Sequence, residues 1–126
     1  MTCKIFHNYQ QIRSALTNLD ASAVVTAAVN LVESLSEGSP EMKSMALAMA
    51  NTDDIEKQRG RFSQFTQKVE PLFKESITGG AIYKQFCPMA FNNMGGYWLS
   101  DVSEIKNPYY GEKMLKCGKV TETIEK

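Results

Sequence analysis

The spacing of apolar residues before Gly79 most constrains what this chain can fold into. Ile5, Tyr9, Ile12, Leu16 and Leu19 follow one another at steps of four, three, four and three, which is one stripe of an amphipathic helix. Asp20 reads as the N-cap of a second helix carrying Val24, Ala28, Leu31 and Leu35 on one face, with Val25 and Val32 widening it and Gly38 ending it. Ser39 followed by Pro40 is an N-cap with proline at the first helical position, and it opens a third helix over "EMKSMALAMAN". Asp53 with Glu56 has the spacing of a capping box. Ile55, Phe62, Phe65, Val69, Leu72 and Phe73 continue a fourth stripe, which Pro71 should kink or shorten. Four helices joined by short connections favour antiparallel neighbours, so residues 1–78 are expected to form a four-helix up-and-down bundle in a mainly α fold.

Gly79-Gly80 changes the pattern. Seven of the twelve aromatics lie beyond it, with turn signals at Asn92-Asn93, Gly95-Gly96 and Asn107-Pro108. "AIYKQF" and "GYWLS" read as short strands, "GEKML" as a helical turn and "KVTETI" as a final extended segment. Residues 79–126 are therefore expected to form a small C-terminal module of short strands and loops. It is too small to stand alone and should pack on the bundle to give a single domain, 1–126.

Composition narrows the function. Fourteen basic residues balance fourteen acidic ones, so no global field draws the chain to nucleic acid, and a nucleic-acid partner is not expected. No apolar run approaches the roughly 18–20 residues that span a bilayer. "MTCKIFHNYQQ" is too polar for the core of a signal peptide, so an exported form of this protein would have had its signal removed. With a single histidine and no Gly-x-Ser-x-Gly or His-Glu-x-x-His motif, catalysis is not expected. The paired carboxylates Asp53-Asp54 have a sufficient explanation in helix capping.

What remains is sulfur. The stretch from Cys87 to Gly118 holds two of the three cysteines, three of the seven methionines and the only tryptophan. Cys87-Pro88-Met89 sets a thiol and a thioether two residues apart across a proline that biases Cys87 toward an extended conformation. Met114 and Cys117 are three apart, which on a helical turn puts both sulfurs on one side. Thiolate and thioether donors select soft ions such as Cu(I), whereas magnesium and calcium require oxygen ligands. Met94 offers a further sulfur, and Cys3 and His7 have an i, i+4 spacing that could chelate a metal. Other readings stand beside this one. Cys87 and Cys117 could be a disulfide stapling a small interaction module, or free buried thiols acting as small apolar residues. Met42, Met45 and Met49 fall at i, i+3, i+7, which is the spacing of a core stripe.

The run "IYKQFCPMA", "YWLS", "NPYYGEKML" and "CG" resembles the signature of a bacterial family of exported domains of unknown function, members of which are attached to adaptor subunits of heavy-metal efflux pumps. The upstream Ile55, Arg59, Phe62 and Ser63 also match, so the resemblance covers about the last three-fifths of the chain. It implies a periplasmic or cell-envelope location, an envelope or efflux protein as partner, and a soft-metal site at Cys87, Met89, Met114 and Cys117. Met94, His7 and Cys3 lie outside the shared motif. Physically, Asn107, Pro108, Tyr109 and Gly111 have the residues of a tight turn that would return Cys117 toward Cys87. Trp98 would anchor the small core, and Arg59 would dock the module by holding its carbonyls or a carboxylate. Thiol redox exchange, with Lys113 and Lys116 supplying positive charge, ranks last.

Overall fold

The computed structural model describes residues 2–35, 40–76, 80–109 and 116–125, with backbone alone at residues 2, 3, 76, 92 and 93. Helix α1, Thr2–Thr17, buries Ile5, Tyr9, Ile12 and Leu16 as its stripe requires. Leu19 departs from that stripe. The helix has already ended, and Leu19 sits half exposed in the left-handed region at φ 55°. The reason is the closure of α1. The Leu19 N–H donates to Leu16 O at 3.2 Å and the Asp20 N–H to Ala15 O at 3.0 Å, the Schellman pattern that turns a chain sharply at a helix end. Asp20 is thereby placed to cap α2, Ala21–Ser34, its Oδ1 accepting from the Ala23 N–H at 3.0 Å.

Helix α2 buries Val24, Ala27, Ala28 and Leu31. Gly38 and Ser39, the expected stop and start signals, lie outside the described residues. Helix α3, Pro40–Ala50, buries Ala46 and Met49, with Met42 and Met45 packed against the same core. Helix α4, Ile55–Ser76, buries Phe62, Phe65, Val69 and Phe73 and continues through Pro71 to Ser76. Its cap is Asp54 rather than Asp53, because Asp54 Oδ1 accepts from the Glu56 N–H at 3.0 Å. Each helix packs on the next, and α4 also meets α1. Tyr9 stacks on Phe62 at 4.7 Å, and its hydroxyl lies 2.7 Å from Thr66 Oγ1, so the one polar atom of this ring is satisfied inside the core.

Beyond Gly80 the chain forms β1, Ala81–Cys87; a single helical turn α5, Ala90–Asn93; β2, Gly96–Ser100; and β3, Lys119–Glu125. The result is a mainly helical protein with a small antiparallel sheet of order β2-β1-β3. The expected helical turn at 111–115 lies outside the described residues. Cys87 pairs with Gly96 on one side of β1, and Phe86 with Lys119 on the other. A bulge opposite Lys84 and Gln85 puts one extra residue into β3, which re-aims the strand just after Cys117 and Gly118.

Buried polar groups hold the sheet on the helices. The Leu99 N–H donates to Tyr9 Oη at 3.1 Å, and Gln10 Nε2 donates to Leu99 O at 2.9 Å, so α1 side chains satisfy a stretch of β2 backbone. Arg13, almost wholly buried, holds Gln10 through Nε at 2.7 Å and lies 3.6 Å from Asp101. On α4, Glu70 accepts from Tyr97 Oη at 2.7 Å and meets Lys84 at 3.1 Å, tying β1 and β2 to that helix. Among the described residues, no helix is long and apolar enough to cross a membrane.

Candidate soft-metal site

Two strands and one loop bring Cys87 and Cys117 together. Cys87 is the last residue of β1 and is fully buried. Antiparallel pairing of β1 with β3 returns the chain to it, so Cys117, two residues before β3, arrives with its Sγ 3.3 Å from Cys87 Sγ. Both are free thiols. A disulfide bond is about 2.05 Å long, and a tetrahedral ion with bonds near 2.3 Å holds two sulfurs about 3.8 Å apart. The observed separation lies between these, within a small movement of either. The Cys117 thiol is held above its ordinary pKa by its contact with Cys87, with burial and the neighbouring sulfur acting in the same direction.

The position of Cys117 is set by its neighbours. Asn107, wholly buried, donates from Nδ2 to Cys117 O at 2.9 Å, while its Oδ1 accepts from the Tyr109 N–H at 2.8 Å. One amide therefore closes the turn and fixes the cysteine's carbonyl. Gly118 follows with φ +138°, a conformation side chains disfavour, and a Cβ there would stand 2.9 Å from Phe86 O and 3.2 Å from Trp98 Cη2. The backbone beside Cys117 thus passes directly under the indole.

Trp98 is completely buried and donates from Nε1 to Gln85 Oε1 at 2.7 Å. Gln85 in turn donates from Nε2 to Val102 O at 3.0 Å and lies within 3.3 Å of Ser103 O and Glu104 O, drawing in the loop after β2. The Tyr109 ring fills the space between Trp98 at 5.7 Å, Phe91 at 4.9 Å and Phe62 of α4 at 6.3 Å, and its hydroxyl donates to Tyr97 O at 2.6 Å. Arg59 reaches across from α4, donating from Nε to Pro108 O at 3.2 Å, with Glu56 at 3.7 Å. The described loop residues before the sulfur pair are thus held on α4 through Pro108 and Tyr109.

The other sulfur and nitrogen candidates are placed differently. Met89 follows Cys87 by two residues and is 45% exposed, and Met94, after α5, is 86% exposed. His7 is exposed on α1. The Cys3 side chain, Met114 and Gly111 lie outside what the structure describes. Among the described residues, no cluster of three or more His, Cys, Asp or Glu side chains could hold an ion. The donors that the described residues bring together are thus two thiols, and sulfur donors suit a soft ion and not a hard one. Elsewhere, a groove of about 380 Å³ between α1 and α2 is lined by Gln11, Ser14, Asn18, Thr26, Asn30 and three alanines, none of them titratable.

Gln85, Gln10 and Arg13 were not singled out from the sequence as buried anchors. Gln85 carries a usable signal, because in a strand it shares a face with Cys87 two residues on. Arg13 carries one too, since it stands four residues after Tyr9 and three before Leu16 on the buried stripe, whereas Gln10 lies beside that stripe and reads as solvent-facing.

Residues 5–79 match a family described as "Protein of unknown function (DUF3347)", and the chain belongs to that family. The matched segment is the helical part, whereas the sulfur-bearing signature lies beyond it. No curated protein and no solved structure matches the chain.

Proposed function

We propose that this protein is a non-catalytic, soft-metal-binding accessory domain of the bacterial cell envelope, with Cu(I) as the favoured ion. The observation that carries the reading is the 3.3 Å approach of the buried Cys87 Sγ and the partly buried Cys117 Sγ at the end of β1, on the strand face that also carries Gln85. In this reading the two thiolates are the principal ligands, and Met89 and Met114 complete the shell with thioether sulfur. The four helices act as an up-and-down bundle that carries the module, the whole forming one domain. An envelope location and hand-over to a heavy-metal efflux protein are supported by the resemblance of the signature, not by the family match, whose described function is unknown. The bound ion would supply a soft Lewis-acid centre. The chain's own residues fix the sulfurs, with Asn107 and Gly118 positioning Cys117 and the end of β1 holding Cys87.

The test is an anaerobic Cu(I) competition titration of the reduced protein beside Cys87→Ser and Cys117→Ser, with helix content followed by circular dichroism. The parent should capture one equivalent, and either substitution should weaken capture by at least tenfold while the helices persist. Unchanged affinity in both variants would sink the assignment. A second reading draws on the same contact: the pair closes into a structural disulfide, stapling a protein-interaction module. Peptide mapping of protein prepared without reductant, showing Cys87 joined to Cys117 and unable to be reduced without unfolding, would favour it.

A further inference from the structure

The two sulfurs differ in access. Cys87 ends a strand, is wholly buried, and lies in the layer that contains Trp98 and Gln85. Cys117 lies in the segment leading into β3, is only partly buried, and is preceded by the exposed Lys116. Cys117 is therefore the more accessible of the two to a molecule in solution, with the buried Cys87 Sγ 3.3 Å from its sulfur.

We propose that this asymmetry makes the pair an ordered thiol–disulfide gate on the metal site, Cys117 exchanging with a low-molecular-weight disulfide and Cys87 resolving the adduct. The inference rests on the soft-metal reading for its consequence. In the first step the thiolate form of Cys117, the scarcer form because its contact with Cys87 favours the thiol, attacks one sulfur of an external disulfide RSSR. A Cys117–SR bond forms, the RS–SR bond breaks, and one RS⁻ leaves to be protonated. In the second step the Cys87 thiolate attacks Cys117 Sγ, the Cys87–Cys117 bond forms, and the second RS⁻ departs and is protonated. The external disulfide gains two electrons and the two protons given up by the cysteines, and the protein pair is oxidised by two electrons. Forming the bond from the observed 3.3 Å needs a closure of only about 1.2 Å, toward the roughly 2.05 Å of a disulfide. Asn107 holds Cys117 by its backbone carbonyl, so this bond does not engage the sulfur, which faces Cys87 Sγ at 3.3 Å. Once joined, neither sulfur is a thiolate, so the oxidised pair releases a soft ion and the reduced pair takes one up.

The experiment uses the full chain with Cys3→Ser, which removes the third thiol, reduced and then exposed to excess oxidised glutathione under intact-mass analysis. The parent should lose two hydrogens and retain no glutathione. Cys87→Ser should accumulate one stable glutathione, and Cys117→Ser should react at least tenfold more slowly. Cys87→Ala and Cys117→Ala repeat the test without placing a hydroxyl in the corner, and circular dichroism reports the fold of each. Equal reaction of the two single variants, or glutathione retained by the parent, overturns the ordered gate. Cu(I) titration of the reduced and oxidised parent separates the two claims. Capture by the reduced form alone, restored by reductant, supports the gate. Equal capture by both forms overturns the gate and leaves the metal reading standing, whereas capture by neither overturns the metal reading and leaves the order of exchange intact.

Discussion

Replacing Asn107 by alanine tests whether one buried amide organises the whole corner. The substitution removes two hydrogen bonds made by a wholly buried side chain, one to the partly buried Cys117 O at 2.9 Å and one from the buried Tyr109 N–H at 2.8 Å. Leaving a buried polar group unpaired costs about 1–3 kcal/mol, which applies to the Tyr109 N–H, and the partly buried Cys117 carbonyl adds less, so the loss should be roughly 1–4 kcal/mol. At about 0.05–0.15 kcal/mol per residue, a chain of this length has roughly 6–19 kcal/mol in all, so the loss is large but need not unfold it. Equilibrium unfolding in urea, followed through Trp98 fluorescence, measures it. Asn107→Asp separates the two bonds. The carboxylate keeps an acceptor for the Tyr109 N–H but faces Cys117 O with a second oxygen, and it regains a donor only when protonated. The aspartate variant should therefore be less destabilised, relative to the parent, at about pH 4 than at pH 7, near the ordinary carboxylate range. A loss below about 0.5 kcal/mol on Asn107→Ala would refute the reasoning, because it would mean that neither bond contributes as its burial requires.

Other consequences follow from the same contacts. Gly118→Ala should destabilise by about 2 kcal/mol or more and weaken metal capture, because its Cβ would meet Phe86 O at 2.9 Å in a backbone conformation already unfavourable to side chains. A neutral result in unfolding experiments would contradict the close passage under the indole. Trp98→Phe removes the bond to Gln85 Oε1 and should cost about 2–4 kcal/mol by calorimetry, with the loop from Val102 to Glu104 becoming more susceptible to proteolysis. For Glu70, burial pushes the carboxyl pKa up, but the Tyr97 hydroxyl and the Lys84 and Lys74 ammonium groups outweigh it and hold the group below its ordinary value. A folded pKa below the unfolded one contributes stability that is present above the unfolded value and lost as pH falls through the folded value. Glu70→Gln should therefore flatten the acid limb of the stability profile, and an unchanged limb would refute the account of that cluster.

The helical half was legible because its signals are local. The stripes of α1 and α4, the Asp20 cap and the start of α3 at Pro40 all follow from residues three or four apart. The failures there are local too. Leu19 fits the helical period, but the closing turn of α1 takes it out of the helix, and Asp54 competes with Asp53 one residue away for the same cap. The strands were recognisable from their aromatic and β-branched residues, yet their order and the bulge in β3 depend on pairing between segments more than 30 residues apart, which no local pattern encodes. The approach of Cys87 and Cys117 was anticipated from the turn at Asn107 and Pro108. What makes it is the β1–β3 pairing, with Asn107 acting as a clamp on the Cys117 carbonyl rather than only as a turn residue. The reason for the burial of Gln10, Arg13 and Gln85 is not legible locally because each has a partner remote in sequence, Leu99 O for Gln10, Asp101 for Arg13 and Trp98 for Gln85.

X-ray absorption at the copper edge reports which atoms surround a bound ion. Reduced protein loaded anaerobically with one equivalent of Cu(I) should show a first shell of sulfur alone, with at least two scatterers, and Cys87→Ser should lose that shell. A shell of nitrogen and oxygen, or a sulfur shell that survives in Cys87→Ser, would contradict the soft-metal site at Cys87 and Cys117.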